Sequence, residues 1–254
     1  MKRIFGEKPS EPDGEVDAVE PEPPAIADHT YTRSFDQLRT GFTASVSHEL
    51  RTPLARIMAL LDSTDLPDAD VRGLIDQARA EVENAGALID EILFLSELES
   101  GREIVSLGHT TALPVLVGVA EDLEGAAARA GVQLVVEGDA DVDLPLRPRM
   151  LRVVVENLAE NSIRYAGHGS RLTLSIRRAG DFAVLTAADD GFGVSEETLP
   201  RLFERFFRAD SARTSRGTGL GLAIVKHVVV AAGGDVEADG GPGRGLRIRC
   251  TFPA

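Results

Sequence analysis

Apolar side chains recur at three- and four-residue steps through Phe35, Leu38, Phe42, Val46, Leu50, Leu54, Ile57 and Leu61. That spacing lays one stripe along an α-helix, so the pattern predicts a long helix over about 32 to 61. The stretch DSTDLPD then supplies helix-stopping and helix-capping residues. A second stripe follows, through Val71, Leu74, Ile75, Ala78, Val82, Ala85, Leu88, Ile89, Ile92, Leu95 and Leu98. Two long helices joined by a short loop form an antiparallel hairpin. Such a hairpin cannot cover both of its own stripes, which predicts that two copies pair as a four-helix bundle, a homodimer.

After Gly101 the periodicity becomes mixed. A helix is expected near 113 to 130, a strand in VQLVVEG from Val132, and a helix in PRMLRVVVENLAENSIRYA from Pro148. RLTLSIRR and DFAVLTAADD alternate as strands around a turn at Ala179 and Gly180. A glycine-rich stretch, a helix over about 219 to 232, and strands near Asp235 and over 246 to 252 complete the set. The whole reads as α+β: a helical hairpin followed by an α/β sandwich.

Length and charge narrow the function. A chain of 254 residues accommodates two modest domains. A net charge of −14 repels phosphate polymers, so nucleic acid is not expected as a partner. One cysteine, Cys250, allows neither an intrachain disulfide framework nor a thiolate zinc site and points to a reducing compartment, the cytoplasm. No apolar run approaches the ~20 residues of a membrane helix. Residues 1 to 30 mix prolines with acids and offer little to bury, which predicts a disordered tail.

Candidate chemistry begins at SVSHELRTPLARI. His48 lies two residues from both Val46 and Leu50, about 200° around the helix from each, so its imidazole faces away from the stripe. Thr52, four residues on, shares that face. Glu49 is displaced by ~100° and reaches the ring only by bending around the helix. If its carboxylate takes the Nδ1 proton, Nε2 becomes the better nucleophile. Pro53 cannot donate to the Glu49 carbonyl, which predicts a bend there.

Four further stretches carry polar or glycine chemistry. In ENLAENSIRY, Asn157 and Asn161 are four apart on one helix face and offer amide oxygens suited to Mg²⁺. DDGFGV ends a strand with two carboxylates and two glycines; a buried Asp accepts from an exocyclic amine, and Gly191 and Gly193 permit close approach. LFERFFR sets aromatic rings beside Arg205 and Arg208, whose guanidinium forks suit phosphate. RGTGLGLAIVK places Gly217, Gly219 and Gly221 just ahead of an apolar helix, where free backbone N–H groups attract phosphate.

HELRTPL followed in this order by these stretches resembles the sensor histidine kinases of two-component systems. The resemblance spans about 220 of the residues and implies a dimerisation and phosphoacceptor domain over 31–104 and an ATP-binding domain of the Bergerat type over 107–254. It further implies that His48 is the nucleophile, Glu49 its general base and Thr52 the residue positioning water for dephosphorylation of the partner. Asn161 and Asn157 would hold Mg²⁺, and Arg164 and Tyr165 would contact nucleotide. Asp189 would recognise adenine over a floor of Gly191 and Gly193; only the alignment prefers it to Asp190. Arg205, Arg208 and the run Gly217, Thr218, Gly219, Leu220 and Gly221 would surround the phosphates of ATP. The segment between Asp190 and Gly217 would form a lid.

The family often has alanine where Ser162 stands and lysine where Arg164 stands. The expected partner is the receiver domain of a response regulator, with an upstream sensor or membrane partner supplying input. Two other readings stay open: a non-catalytic ATP-binding regulator, and a Bergerat ATPase or serine kinase that forms no phosphohistidine.

Overall fold

The computed structural model describes residues 46–66, 70–100, 108–209 and 217–254. The expected tail over 1–30, the first helix ahead of Val46 and the last part of the expected lid, 210–216, lie outside the described residues. Helix α1 occupies residues 46–62 and stays helical through Pro53. A 3-10 turn, Ser63–Asp65, follows it. Helix α2 is Val71–Glu99, capped by Asp70, whose carboxylate accepts from the Gly73 amide at 3.1 Å. Arg56 and Glu81 pair across the hairpin at 3.7 Å.

Both helices leave an apolar row uncovered. Leu54, Met58 and Leu61 on α1, and Val71, Ile75, Val82, Ile89 and Leu93 on α2, are each 45–58% exposed. The opposite side of α2 behaves differently: Leu88, Leu95 and Leu98 are buried and join the core of the following domain.

That domain contains β1 (Thr110–Thr111), α3 (Ala112–Ala130), β2 (Gln133–Gly138), β3 (Asp143–Leu144) and α4 (Pro148–Tyr165). It continues with β4 (Arg171–Ala179), β5 (Phe182–Asp189), α5 (Gly221–Ala231), β6 (Asp235–Gly240) and β7 (Leu246–Pro253). The main sheet has the order β2-β4-β5-β7-β6; β2 and β4 are parallel and the other neighbours antiparallel. Helix α3 ends on Gly131 at φ 70°, a left-handed cap that sends Val132 N–H back to the Ala127 carbonyl and turns the chain into β2. Pro148, which lacks the N–H a first helical turn leaves unused, opens α4.

Strand alternation fixes the layers. Leu172, Leu174 and Ile176 on β4, Ala183, Leu185 and Ala187 on β5, and Ile248, Cys250 and Phe252 on β7 are all buried under the helices, while the residues between them are wetter. Helix α4 answers with its own buried stripe, Leu151, Val154, Val155, Leu158 and Ser162, and packs between α3 and α5. The short β1/β3 pair, which the hydrophobic pattern did not predict, ties the start of α3 to the approach of α4.

No helix among the described residues is long and apolar enough to cross a membrane.

Candidate active site

Two groups of side chains stand out, one on the hairpin and one in the sandwich. On α1 the His48 side chain is 76% exposed, and Glu49 brings Oε1 to 3.5 Å from Nδ1. The acid does bend around the helix as its position demands, and it addresses Nδ1, which leaves Nε2 exposed to carry any nucleophilic chemistry of the ring. Thr52 turns its hydroxyl to the His48 carbonyl, to which it donates at 3.3 Å. Its one hydrogen is therefore spent on its own helix, and in this rotamer the oxygen offers only lone pairs to other groups.

In the sandwich a cavity of about 390 Å³ opens between α4, the segment after β5, and the start of α5. Among its walls are Asn157, Asn161, Arg164, Tyr165, Gly193, Arg208, Thr218, Gly219 and Gly221, so most of the residues singled out in sequence converge there. The Asn157 amide nitrogen donates to the Val153 carbonyl at 2.8 Å, which fixes the amide plane. Its Oδ1 then faces Gly221, where any Cβ would collide with it. Gly219 adopts φ 72° against the backbone of Phe206 and Phe207, and Phe206 N–H donates to the Gly219 carbonyl at 2.9 Å. Both glycines are required by close approach, and they bring the N-terminus of α5 to the cavity edge.

The sheet carries a carboxylate, Asp189, that is not itself among the cavity walls but is bonded to Leu246, which is. Along β5 the core-facing row Ala183, Leu185, Ala187 ends on Asp189, so alternation places this acid under the helices and leaves Asp190 on the outside. Asp189 Oδ1 accepts from the backbone N–H of Gly191 at 3.1 Å and of Leu246 at 3.2 Å; Oδ2 accepts from Ser162 Oγ at 2.9 Å. Asp190 is committed elsewhere: its Oδ1 accepts from Arg171 N–H at 2.6 Å, closing the edge of β4. Gly193, at φ 66°, sits where a Cβ would strike the Gly241 carbonyl. Sequence alternation alone, carried to the end of β5, would have separated the two acids without any alignment.

Arg205 departs from expectation. It does not line the cavity but forms an ion pair with Glu99 at the end of α2. Arg149 at the start of α4 lies over the ring of Phe94, 5.9 Å from its centroid. Glu91, a third residue of α2, enters the cavity wall and accepts from Thr218 Oγ1 at 2.5 Å. Burial pushes its carboxyl above the ordinary 4.5, with the Thr218 hydrogen bond and Arg164 opposing and Glu160 adding to the rise. The hydrophobic pattern gave no sign of this contact, because an acid between two stripe positions reads as an ordinary solvated residue.

The donor set fits a nucleotide. A carboxylate with three of its acceptor positions filled keeps one for an amine, and a glycine-built helix start faces the other end. For a metal, no group of three or more His, Cys, Asp or Glu side chains among the described residues could hold an ion. The amide oxygens of Asn161 and Asn157 suit a hard cation only when phosphate oxygens complete its shell.

Comparison with known proteins divides the chain in the same way. Residues 38–101 match the His Kinase A (phospho-acceptor) domain, and residues 147–254 match the histidine kinase-, DNA gyrase B-, and HSP90-like ATPase. The second match implies that this domain binds ATP. Sensor-like histidine kinase SenX3 of Mycobacterium tuberculosis is 31% identical over 235 residues, which is 90% of this chain and 57% of SenX3. The chain thus spans little more than half of that relative.

Among solved structures, histidine kinase AdeS of Acinetobacter baumannii superposes with a TM-score of 0.67 at 23% identity, covering 81% of this chain and 97% of that one. Histidine kinase ThkA, solved in complex with response regulator protein TrrA, gives 0.69 at 18% identity, with 87% of this chain and 63% of that one covered. A phosphoacceptor domain on a helical hairpin, followed in one chain by an ATPase sandwich, is the domain pair that defines a family, and this chain belongs to the sensor histidine kinases.

Proposed function

We propose that the chain is an ATP-dependent protein-histidine kinase that phosphorylates its own His48 and passes the phosphoryl group to an aspartate of a response regulator. The observation that carries this reading is the pairing, in one chain, of an exposed imidazole backed by a carboxylate at Nδ1 with a cavity walled by Asn157, Asn161, Arg208, Gly219, Gly221 and Leu246, the last of which donates its N–H to Asp189. Nε2 of neutral His48 forms a bond to the γ-phosphorus as the bond to the bridging oxygen breaks and ADP departs. Glu49 stabilises the charge that develops on the ring.

ATP supplies the phosphoryl group, and Mg²⁺ held with Asn161 and Asn157 supplies charge neutralisation. The protein does the rest by positioning: the amides at the start of α5, Thr218 and Arg208 orient the phosphates, Arg164 and Tyr165 border them, and Asp189 sets the base. The hairpin's uncovered apolar rows support the homodimer. We place the functional units at 31–104 and 107–254 with an acidic tail before them, place the kinase in the cytoplasm, and assign input to an upstream sensor or membrane partner.

Incubation with γ-labelled ATP and magnesium tests the reading. Acid-labile, base-stable label that disappears in His48→Ala is the expected result; acid-stable label, or label that survives the substitution, refutes it. The spacing of Thr52 supports a second activity, dephosphorylation of the same regulator. Thr52→Ala should slow regulator dephosphorylation while leaving autophosphorylation in place, and an unchanged dephosphorylation rate removes that role.

A further inference from the structure

Ser162 is a polar residue in an apolar row. It extends the stripe Leu151, Val155, Leu158 along α4 toward the sheet and is 5% exposed, a place where a hydroxyl without a partner would be penalised. Its partner is Asp189 Oδ2 at 2.9 Å. A serine hydroxyl has one hydrogen, and here it is spent on the carboxylate, so the Ser162 oxygen presents only lone pairs to anything else. Asp189 has two N–H donors on Oδ1 and this O–H on Oδ2. The backbone donors come from rigid turns on two sides, at Gly191 and at the start of β7, and hold one oxygen. Among the described residues Ser162 holds the other.

We propose that Ser162 is a positioning residue that sets purine selectivity, by locking the Oδ2 edge of Asp189 as an acceptor-only wall. This rests on the reading of the cavity as an ATP site with Asp189 at the base. A 6-amino purine offers a hydrogen to that wall, whereas a 6-oxo purine brings a third lone-pair oxygen against two that cannot donate. A binding edge whose polar groups are committed in this way rejects the wrong partner more strongly than an apolar edge would. With alanine at 162 the Oδ2 edge loses the Ser162 hydroxyl donor, the carboxylate plane is held from the Oδ1 side, and room opens for water to mediate either purine.

The test is calorimetric titration of the whole chain with ADP, inosine diphosphate and inorganic tripolyphosphate, each with magnesium, for wild type, Ser162→Ala and Ser162→Thr. Wild type should prefer ADP to inosine diphosphate. Ser162→Ala should bind ADP about tenfold more weakly, narrow the ADP preference by a similar factor and bind tripolyphosphate as wild type does. Ser162→Thr, which keeps the hydroxyl, should restore the preference. In autophosphorylation the alanine variant should raise KM for ATP and leave kcat in place. An unchanged ADP preference in Ser162→Ala overturns the proposal, as does an equal loss for ADP and tripolyphosphate, which would mark general damage to the fold. A wild type that binds none of the three overturns the ATP-site reading itself.

Discussion

The uncovered face of the hairpin can be tested by placing a charge in its middle. Val82 lies near the centre of the α2 row and is 57% exposed in the single chain. In a monomer, Val82→Glu changes a half-wet position on a long helix and should alter stability by no more than about 0.5 kcal/mol. In a four-helix bundle the same residue is covered by the partner, so two effects combine in each protomer. Burying the exposed half of a valine contributes about 1 kcal/mol, from roughly 1.5–3 for full burial. Placing a carboxylate there instead adds a desolvation penalty of ~2 kcal/mol or more when no cation is in reach.

Both copies carry the change, which brings the loss to about 6 kcal/mol and weakens the dimer by roughly four orders of magnitude. Sedimentation equilibrium at micromolar protein should find wild type as dimer and Val82→Glu as monomer. Far-UV circular dichroism should remain that of the folded chain, since α2 is anchored to the sandwich by its other side through Leu88, Leu95 and Leu98. A variant that dimerises as tightly as wild type refutes the assignment of this face. A variant that loses helix in proportion to dimer refutes the idea that the sandwich holds α2 on its own.

Three other outcomes follow from single residues. Glu91 has its carboxyl raised in the folded state, so its stabilising contribution is full below the ordinary 4.5 and is lost as pH rises through the folded value. Glu91→Gln keeps an acceptor for Thr218 without the charge and should melt higher than wild type at pH 7, with the gap closing near pH 4; a pH-independent gap would show that charge burial is not the cause. Gly245 sits at φ 72° with the Asp189 carbonyl where its Cβ would go, so Gly245→Ala should lose at least about 2 kcal/mol in urea unfolding, and a loss under ~0.5 would exclude strain there. Cys250 is buried on β7 and its thiol is pushed up to about 12 by burial. At pH 8 only about one molecule in ten thousand carries the thiolate, so a thiol reagent should label the native protein only as fast as the sandwich unfolds, and rapid labelling would contradict the burial.

The hairpin and the α/β layer were legible because each is written in a repeated period: three- and four-residue steps through α2, two-residue steps along β4 and β5. What the periods omitted were contacts made between elements. β1 and β3 are two residues each, too short to alternate, and pair with each other across the whole of α3 and β2. Glu91, Phe94 and Glu99 occupy α2 positions whose sequence neighbours say nothing of the approach to α5, of α4 or of the loop after β5.

Arg205 illustrates the limit in its sharpest form. Its side chain, its aromatic neighbours and its place between β5 and α5 all suit phosphate, and those are the properties a sequence displays. They suit a carboxylate equally well, because a guanidinium fork matches both anions, and in this conformation Glu99 supplies the carboxylate. Residue type therefore specified the charge Arg205 seeks, while the packing of α2 against the sandwich decided which anion it met. The same division explains Ser162, whose type is unremarkable and whose meaning comes from lying opposite the last inward residue of β5.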